Sequence, residues 1–124
     1  MIPPWCAEFV GTRYVEGGYQ RNNEGYDCWG LIRAVYQYAY GIDVDDWDIE
    51  VAKGVWQPLG PHAQAKEGDM LVFTPDGVNH HVGLVVEPGR MIHAAESLGQ
   101  ILIEPYKSTL WKLQHKRTYR HTSL

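Results

Sequence analysis

The stretch His81-Val82-Gly83-Leu84-Val85-Val86-Glu87-Pro88-Gly89-Arg90-Met91-Ile92-His93 reads as a β-hairpin. Two short apolar runs flank the turn pair Pro88-Gly89. Along an alternating strand, His81, Gly83 and Val85 share one face. His80, Val82, Leu84 and Val86 share the other, which is apolar apart from its first member. Gly83 leaves room on the His81 face for a ligand or a neighbouring backbone. The hairpin carries His93 back beside His81. Two adjacent imidazoles suit a base held in one tautomer by a further group. The plain alternative is a pair of hydrogen-bonded sheet histidines.

Working outward, residues 69–73, 101–104 and 118–120 also read as short strands. Pro75-Asp76-Gly77 and Leu98-Gly99 supply the turns between them. The N-terminal half has a different period. Leu31, Ile32, Val35, Tyr36 and Ala39 recur at helical spacing over residues 28–40. Asp27 is placed to cap that helix and Gly41 to stop it. A shorter helix starts at Pro3-Pro4, presents Trp5, Cys6, Phe9 and Val10, and ends at Gly11. Residues 12–25 form a loop, with Gly17, Gly18, Asn22, Asn23 and Gly25 as turn formers. A short helix fits residues 45–53, and Pro58, Gly60 and Pro61 mark a turn. Helices first and strands second indicate an α+β fold with an antiparallel sheet.

The 124 residues suit one domain spanning 1–124, and 44% hydrophobic residues suffice for one core. A net charge of −4 gives no general argument for nucleic acid or an anionic membrane as partner. The acidic cluster Asp43, Asp45, Asp46, Asp48 and Glu50 reads as solvated surface. So does the basic group Lys107, Lys112, Lys116, Arg117 and Arg120. The acidic run makes a poor calcium loop, since it holds Trp47 and lacks a central glycine. No apolar run is long enough to span a membrane. The first residues lack a basic segment followed by an apolar one, so no secretory signal is expected. Any action outside the cell then calls for another export route or delivery within a larger particle.

Chemistry centres on Cys28. A cysteine at a helix N-terminus has its thiolate favoured by free N–H groups and the helix dipole, and a nearby imidazole completes the activation. Read from position alone, Cys28 is equally a buried, inert cysteine. Cys6 sits mid-face in the first helix and reads as core. With only two cysteines, a disulfide framework has little support. Cys28, His80, His81 and His93 could in principle hold zinc, but no Cys-x-x-Cys or His-x-x-x-His spacing supports it. No metal or other cofactor is expected.

Five blocks occur in order: Tyr14-Val15-Glu16-Gly17-Gly18, Asp27-Cys28-Trp29-Gly30-Leu31, Gly68-Asp69-Met70-Leu71-Val72-Phe73, His81-Val82-Gly83-Leu84-Val85 and Met91-Ile92-His93-Ala94. Together they resemble the NlpC family of papain-like cysteine peptidases, over most of the chain. The resemblance implies a papain-like domain whose N-terminal helices pack on a small antiparallel sheet. It maps the nucleophile onto Cys28, the base onto His81 and the orienting residue onto His93. Tyr14 lines the site, and its hydroxyl and the Cys28 backbone N–H are the implied oxyanion donors. Asp27 and Trp29 flank the nucleophile as further candidates for substrate contact. The implied substrate is the stem peptide of bacterial peptidoglycan, cut between D-γ-glutamate and diaminopimelate or lysine. Most members have serine after the cysteine. Trp29, with Phe9-Val10-Gly11-Thr12 and Gly41-Ile42-Asp43, resembles a subgroup from bacteriophage tails. That subgroup implies synthesis in the host cytoplasm, other tail proteins as partners, and a place in the virion tail acting on the cell wall. The competing readings are a papain-like amidase or acyltransferase, and a tail assembly protein with idle catalysis.

Overall fold

The computed structural model describes residues 1–18, 25–77 and 80–124. The turn formers Asn22 and Asn23 lie outside the described residues. The periodic segment becomes helix α1, Cys28–Val35, and continues as one π-helical turn, Tyr36–Tyr40. The Asp27 carboxylate accepts the Gly30 N–H at 2.6 Å, and Gly41 ends the element in the left-handed region at φ 65°. Both ends are therefore the ones that local chemistry demands. The N-terminal prolines begin a 3-10 helix, Pro4–Glu8, in place of the α-helix expected through Val10. Helix α2 covers Trp47–Lys53, within the expected 45–53.

The strands are β1 (Arg13–Tyr14), β2 (Gly25–Tyr26), β3 (Trp56–Pro58), β4 (Met70–Phe73), β5 (His81–Glu87), β6 (Arg90–Ala95), β7 (Gln100–Pro105) and β8 (His115–His121). Among the described residues they form one open sheet in the order β2-β1-β7-β6-β5-β4-β8-β3. All pairings are antiparallel except the short β1–β2 pair at one edge. The expected strands become β4 to β8. Strands β1, β2 and β3 and helix α3 (Thr109–Gln114) were not anticipated. Strands of two or three residues have no period to detect. Helix α3 leaves Leu110 and Leu113 exposed, so its pattern does not mark a core face. Helix α3 also lies between β7 and β8, so the helices are not confined to the N-terminal half.

Helix α1 lies across one face of the sheet. Leu31, Ile32, Val35 and Tyr36 are fully buried there with Val82, Leu84, Val86, Ile92 and Ala94. Each buried leucine, isoleucine or valine among them contributes on the order of 2 kcal/mol by leaving water. Leu71, Phe73, Val85, Met91 and Tyr106 form a smaller core on the opposite face, partly covered by Trp111. His81 and His93 fall by alternation on this second face. The β5–β6 register pairs Gly83 with His93, so His81 lies diagonally across from it.

Asp69, just before β4, is wholly buried. Its carboxylate accepts from Arg120 Nε and Nη2, both at 2.9 Å, and from the Lys66 N–H at 2.9 Å. This pair ties β8 to the start of β4.

Candidate active site

Cys28 is the first residue of α1. A Cβ on Gly30 would lie 1.8 Å from the Gly18 carbonyl oxygen, so only glycine lets the Gly17–Gly18 turn pack against the first helical turn. Asp27 locks this arrangement. One carboxylate oxygen caps α1, and the other accepts the Gly17 N–H at 3.0 Å. Asp27, expected near the substrate, thus has both oxygens engaged by backbone donors.

Cys6 and Cys28 are both free thiols. Burial pushes the Cys28 thiol up. The Val82, Trp29 and Cys28 backbone N–H groups pull it down, and the Asp27 carboxylate pushes it further up. The helix N-terminus, whose dipole favours thiolate, does not offset the burial of the sulfur. Desolvation outweighs the backbone donors, and ionisation needs a base. Cys6 is core, and burial and Glu67 push its thiol up to about 11.

His81 provides a candidate base. Its Nε2 lies 2.8 Å from His93 Nδ1, and His93 Nε2 lies 2.6 Å from Glu104 Oε2. The Trp111 indole N–H donates to Glu104 Oε1 at 2.9 Å. The Trp111 ring stacks on His81 at 5.7 Å and meets His93 edge-on at 5.2 Å. The space expected beside Gly83 is already occupied. A Cβ there would come 2.9 Å from Met91 Sδ and 3.4 Å from His93 Cβ. Glycine at 83 thus admits the neighbouring strand, not a ligand.

Burial lowers His81 to about 4; the neighbouring His93 adds to the shift and Glu104 opposes it. Burial likewise holds His93 below the ordinary histidine range, against the pull of Glu104. A base must be neutral to accept a proton. The acid limb of a pH–rate profile is therefore expected near pH 4, below the ordinary histidine value of 6.5. Stability carries the same sign. Between 6.5 and about 4 the unfolded chain takes up a proton that the fold refuses, so stability falls as pH falls through that window. A rate profile whose acid limb stays at the ordinary value would show that His81 is open to water.

Cys28, His81, His93 and Tyr14 line one cleft of about 740 Å³, with Glu104 and Trp111. Burial, then the Glu96 charge, push the Tyr14 hydroxyl up to about 12, so it remains a donor at neutral pH. A second cleft, of about 500 Å³, also reaches Cys28 and is lined by Trp29, Trp47, Val82, Arg117 and Tyr119. Trp29 is anchored there by its indole N–H to the Asp45 carbonyl at 3.1 Å and by edge contact with Trp47. His80 is exposed on the rim of both clefts, while His81 makes the contact with His93. Glu104 and Trp111 were missed from sequence. The available signal was a carboxylate ending the apolar run Ile101-Leu102-Ile103, in register with Met91 and on the His93 face. Among the described residues, no group of three or more His, Cys, Asp or Glu is arranged to hold a metal ion.

The NlpC/P60 family model matches residues 11–120. The chain is 32% identical over 111 residues to the gamma-D-glutamyl-L-lysine dipeptidyl-peptidase of Bacillus subtilis (strain 168), covering 86% of this chain and 35% of that protein. It is 24% identical over 117 residues to the murein DD-endopeptidase MepS/murein LD-carboxypeptidase of Escherichia coli (strain K12), covering 92% of this chain and 58% of that protein. The chain thus spans little more than half of one relative and about a third of the other. The crystal structure of the NlpC/p60 domain of peptidoglycan hydrolase SagA matches with a TM-score of 0.69 at 26% identity, over 93% of this chain and 94% of that one.

Proposed function

The chain belongs to the NlpC/P60 family, and from that membership we propose that it is a cysteine peptidase hydrolysing stem peptides of bacterial peptidoglycan. The observation that carries the reading is the shared cleft: Cys28 at a helix start, with the hydrogen-bonded His81 and His93 lining the same wall. A second cleft also opens at the thiol, and two clefts meeting at Cys28 suit a substrate chain that continues past the scissile bond.

In this mechanism His81 takes the Cys28 proton as sulfur attacks the scissile carbonyl carbon. The oxyanion is stabilised by the Cys28 backbone N–H and the Tyr14 hydroxyl. Collapse breaks the C–N bond, and His81 returns the proton to the leaving amine. Water, deprotonated by His81, then attacks the thioester carbon; the C–S bond breaks, the Cys28 thiolate takes the proton back from His81, and the acid is released. His93 holds the His81 ring throughout. The proposed bond joins D-γ-glutamate to diaminopimelate or lysine. Its support, for the lysine form, is the Bacillus subtilis gamma-D-glutamyl-L-lysine dipeptidyl-peptidase, to which this chain is 32% identical.

Digestion of purified peptidoglycan, with fragments identified by mass, tests both levels. New amino termini on diaminopimelate or lysine support the proposed bond. Cleavage at a D,D-bond, as in the name of the Escherichia coli relative, replaces that bond but keeps the peptidase. Transfer of the acyl group to an added amine, in preference to water, overturns the peptidase in favour of an acyltransferase.

A tail-associated role belongs to the same proposal. Its support is the motif Cys28-Trp29 together with Phe9-Val10-Gly11-Thr12 and Gly41-Ile42-Asp43. Synthesis in the reducing host cytoplasm keeps Cys28 a thiol, and attachment to a particle raises the local concentration at the wall. The protein is then expected to co-purify with assembled tails. Its absence from particles, with efficient lysis by the free protein, favours a free-standing lysin.

A further inference from the structure

We propose that Glu104 is a positioning residue of this site: it fixes the tautomers of His93 and His81, and so makes Nδ1 of His81 the atom that takes the Cys28 proton. The use of that proton rests on the peptidase reading. The direction of the hydrogen bonds rests on the contact geometry and on the burial of His93.

An ionised carboxylate only accepts hydrogen bonds, and an indole nitrogen only donates. Glu104 Oε1 is taken by the Trp111 N–H at 2.9 Å. Oε2 meets His93 Nε2 at 2.6 Å, so that nitrogen carries the hydrogen. His93 is 2% exposed, and burial keeps it neutral. A neutral imidazole protonated at Nε2 has its lone pair on Nδ1. The 2.8 Å contact from His93 Nδ1 to His81 Nε2 therefore requires the hydrogen on His81 Nε2. The remaining lone pair of His81 is on Nδ1. When Nδ1 takes the thiol proton, the imidazolium keeps its Nε2–H on His93, two hydrogen bonds from a negative charge. None of these bonds has to be rebuilt during the step.

Without the carboxylate the direction is lost. His93 protonated on Nδ1 would donate to His81 Nε2. That leaves the hydrogen of His81 on Nδ1, and the base is blocked. Glutamine cannot replace glutamate here, because it offers one acceptor oxygen and one amide donor where two N–H groups converge. With the oxygen turned to the rigid Trp111 N–H, its NH₂ faces His93 Nε2 and favours the blocked tautomer.

The test compares the intact wild-type chain with Glu104→Gln by three readouts: thermal unfolding, steady-state kinetics on stem peptides, and ¹⁵N NMR of labelled histidines. Wild-type spectra are expected to show His81 and His93 both protonated at Nε2. In Glu104→Gln, His93 is expected to shift towards the Nδ1–H form. Its kcat should fall about tenfold to a hundredfold, with KM within about twofold. A change confined to the melting temperature, with kcat and tautomers as in wild type, overturns the proposal. So does a wild-type His93 protonated on Nδ1. Should Glu104→Gln fail to fold, the wild-type spectra still decide. Should the wild type cleave no stem peptide, the peptidase reading fails separately, and the tautomers still report on Glu104.

Discussion

Cys28→Ser and His81→Ala are each expected to lower kcat/KM on stem peptides by about 10³-fold or more. The melting temperature should barely move. The serine hydroxyl has nearly the shape of the thiol, yet it is a far weaker acid and a poorer nucleophile. The effect should be large because burial already holds Cys28 towards its neutral form. A neutral thiol depends on His81 for every attack. Removing the imidazole therefore removes the nucleophile too. His93→Ala should cost less, since thiol and base remain and only the orientation of His81 is lost. The comparison requires kinetics on a defined stem peptide and calorimetry on each variant. Wild-type rates in His81→Ala would transfer the role of base elsewhere, with His80 on the cleft rim the first candidate.

Arg120→Ala is expected to cost about 3–5 kcal/mol of stability, the range for removing one partner from a buried ion pair. Asp69 has no exposed surface, and Arg120 makes two of its three carboxylate contacts. Truncation leaves a buried negative charge facing one backbone N–H. Arg120 itself is 30% exposed, so water can partly take its place, which favours the lower end of the range. Urea unfolding of the variant measures the loss. Replacing both residues with apolar ones should restore much of it, because no charge is then left unpaired. A cost below about 1 kcal/mol for Arg120→Ala would place the pair among solvent-screened bridges.

Two elements were legible in residue order because their rules are local. Helix α1 has its cap, its apolar face and its stopping glycine within residues 27–41. The hairpin of β5 and β6 has its alternation and turn within a few residues, and that alternation set His81 and His80 on opposite faces, with His81 on the face of His93. The order of the five motif blocks indicated the family, and the model match over residues 11–120 bears this out. The short strands β1 to β3 were not legible. Two or three residues have no period; β1 and β3 pair onto the edges that β7 and β8 offer, and β2 pairs onto β1.

Sequence by itself determined where the thiol sits on its helix and that His80 and His81 take opposite faces of their strand. Both follow from the 3.6 and 2.0 periods of backbone geometry. Tertiary structure decided the electrostatics. The upward push on Cys28, the value of about 4 for His81, and the choice of Glu104 and Trp111 to finish the hydrogen-bond chain each depend on groups from separate elements. Asp69 and Arg120 likewise meet across 51 positions of chain. Desolvation and charge pairing sum over everything that surrounds a group in space, and that set of neighbours exists only once the sheet has assembled.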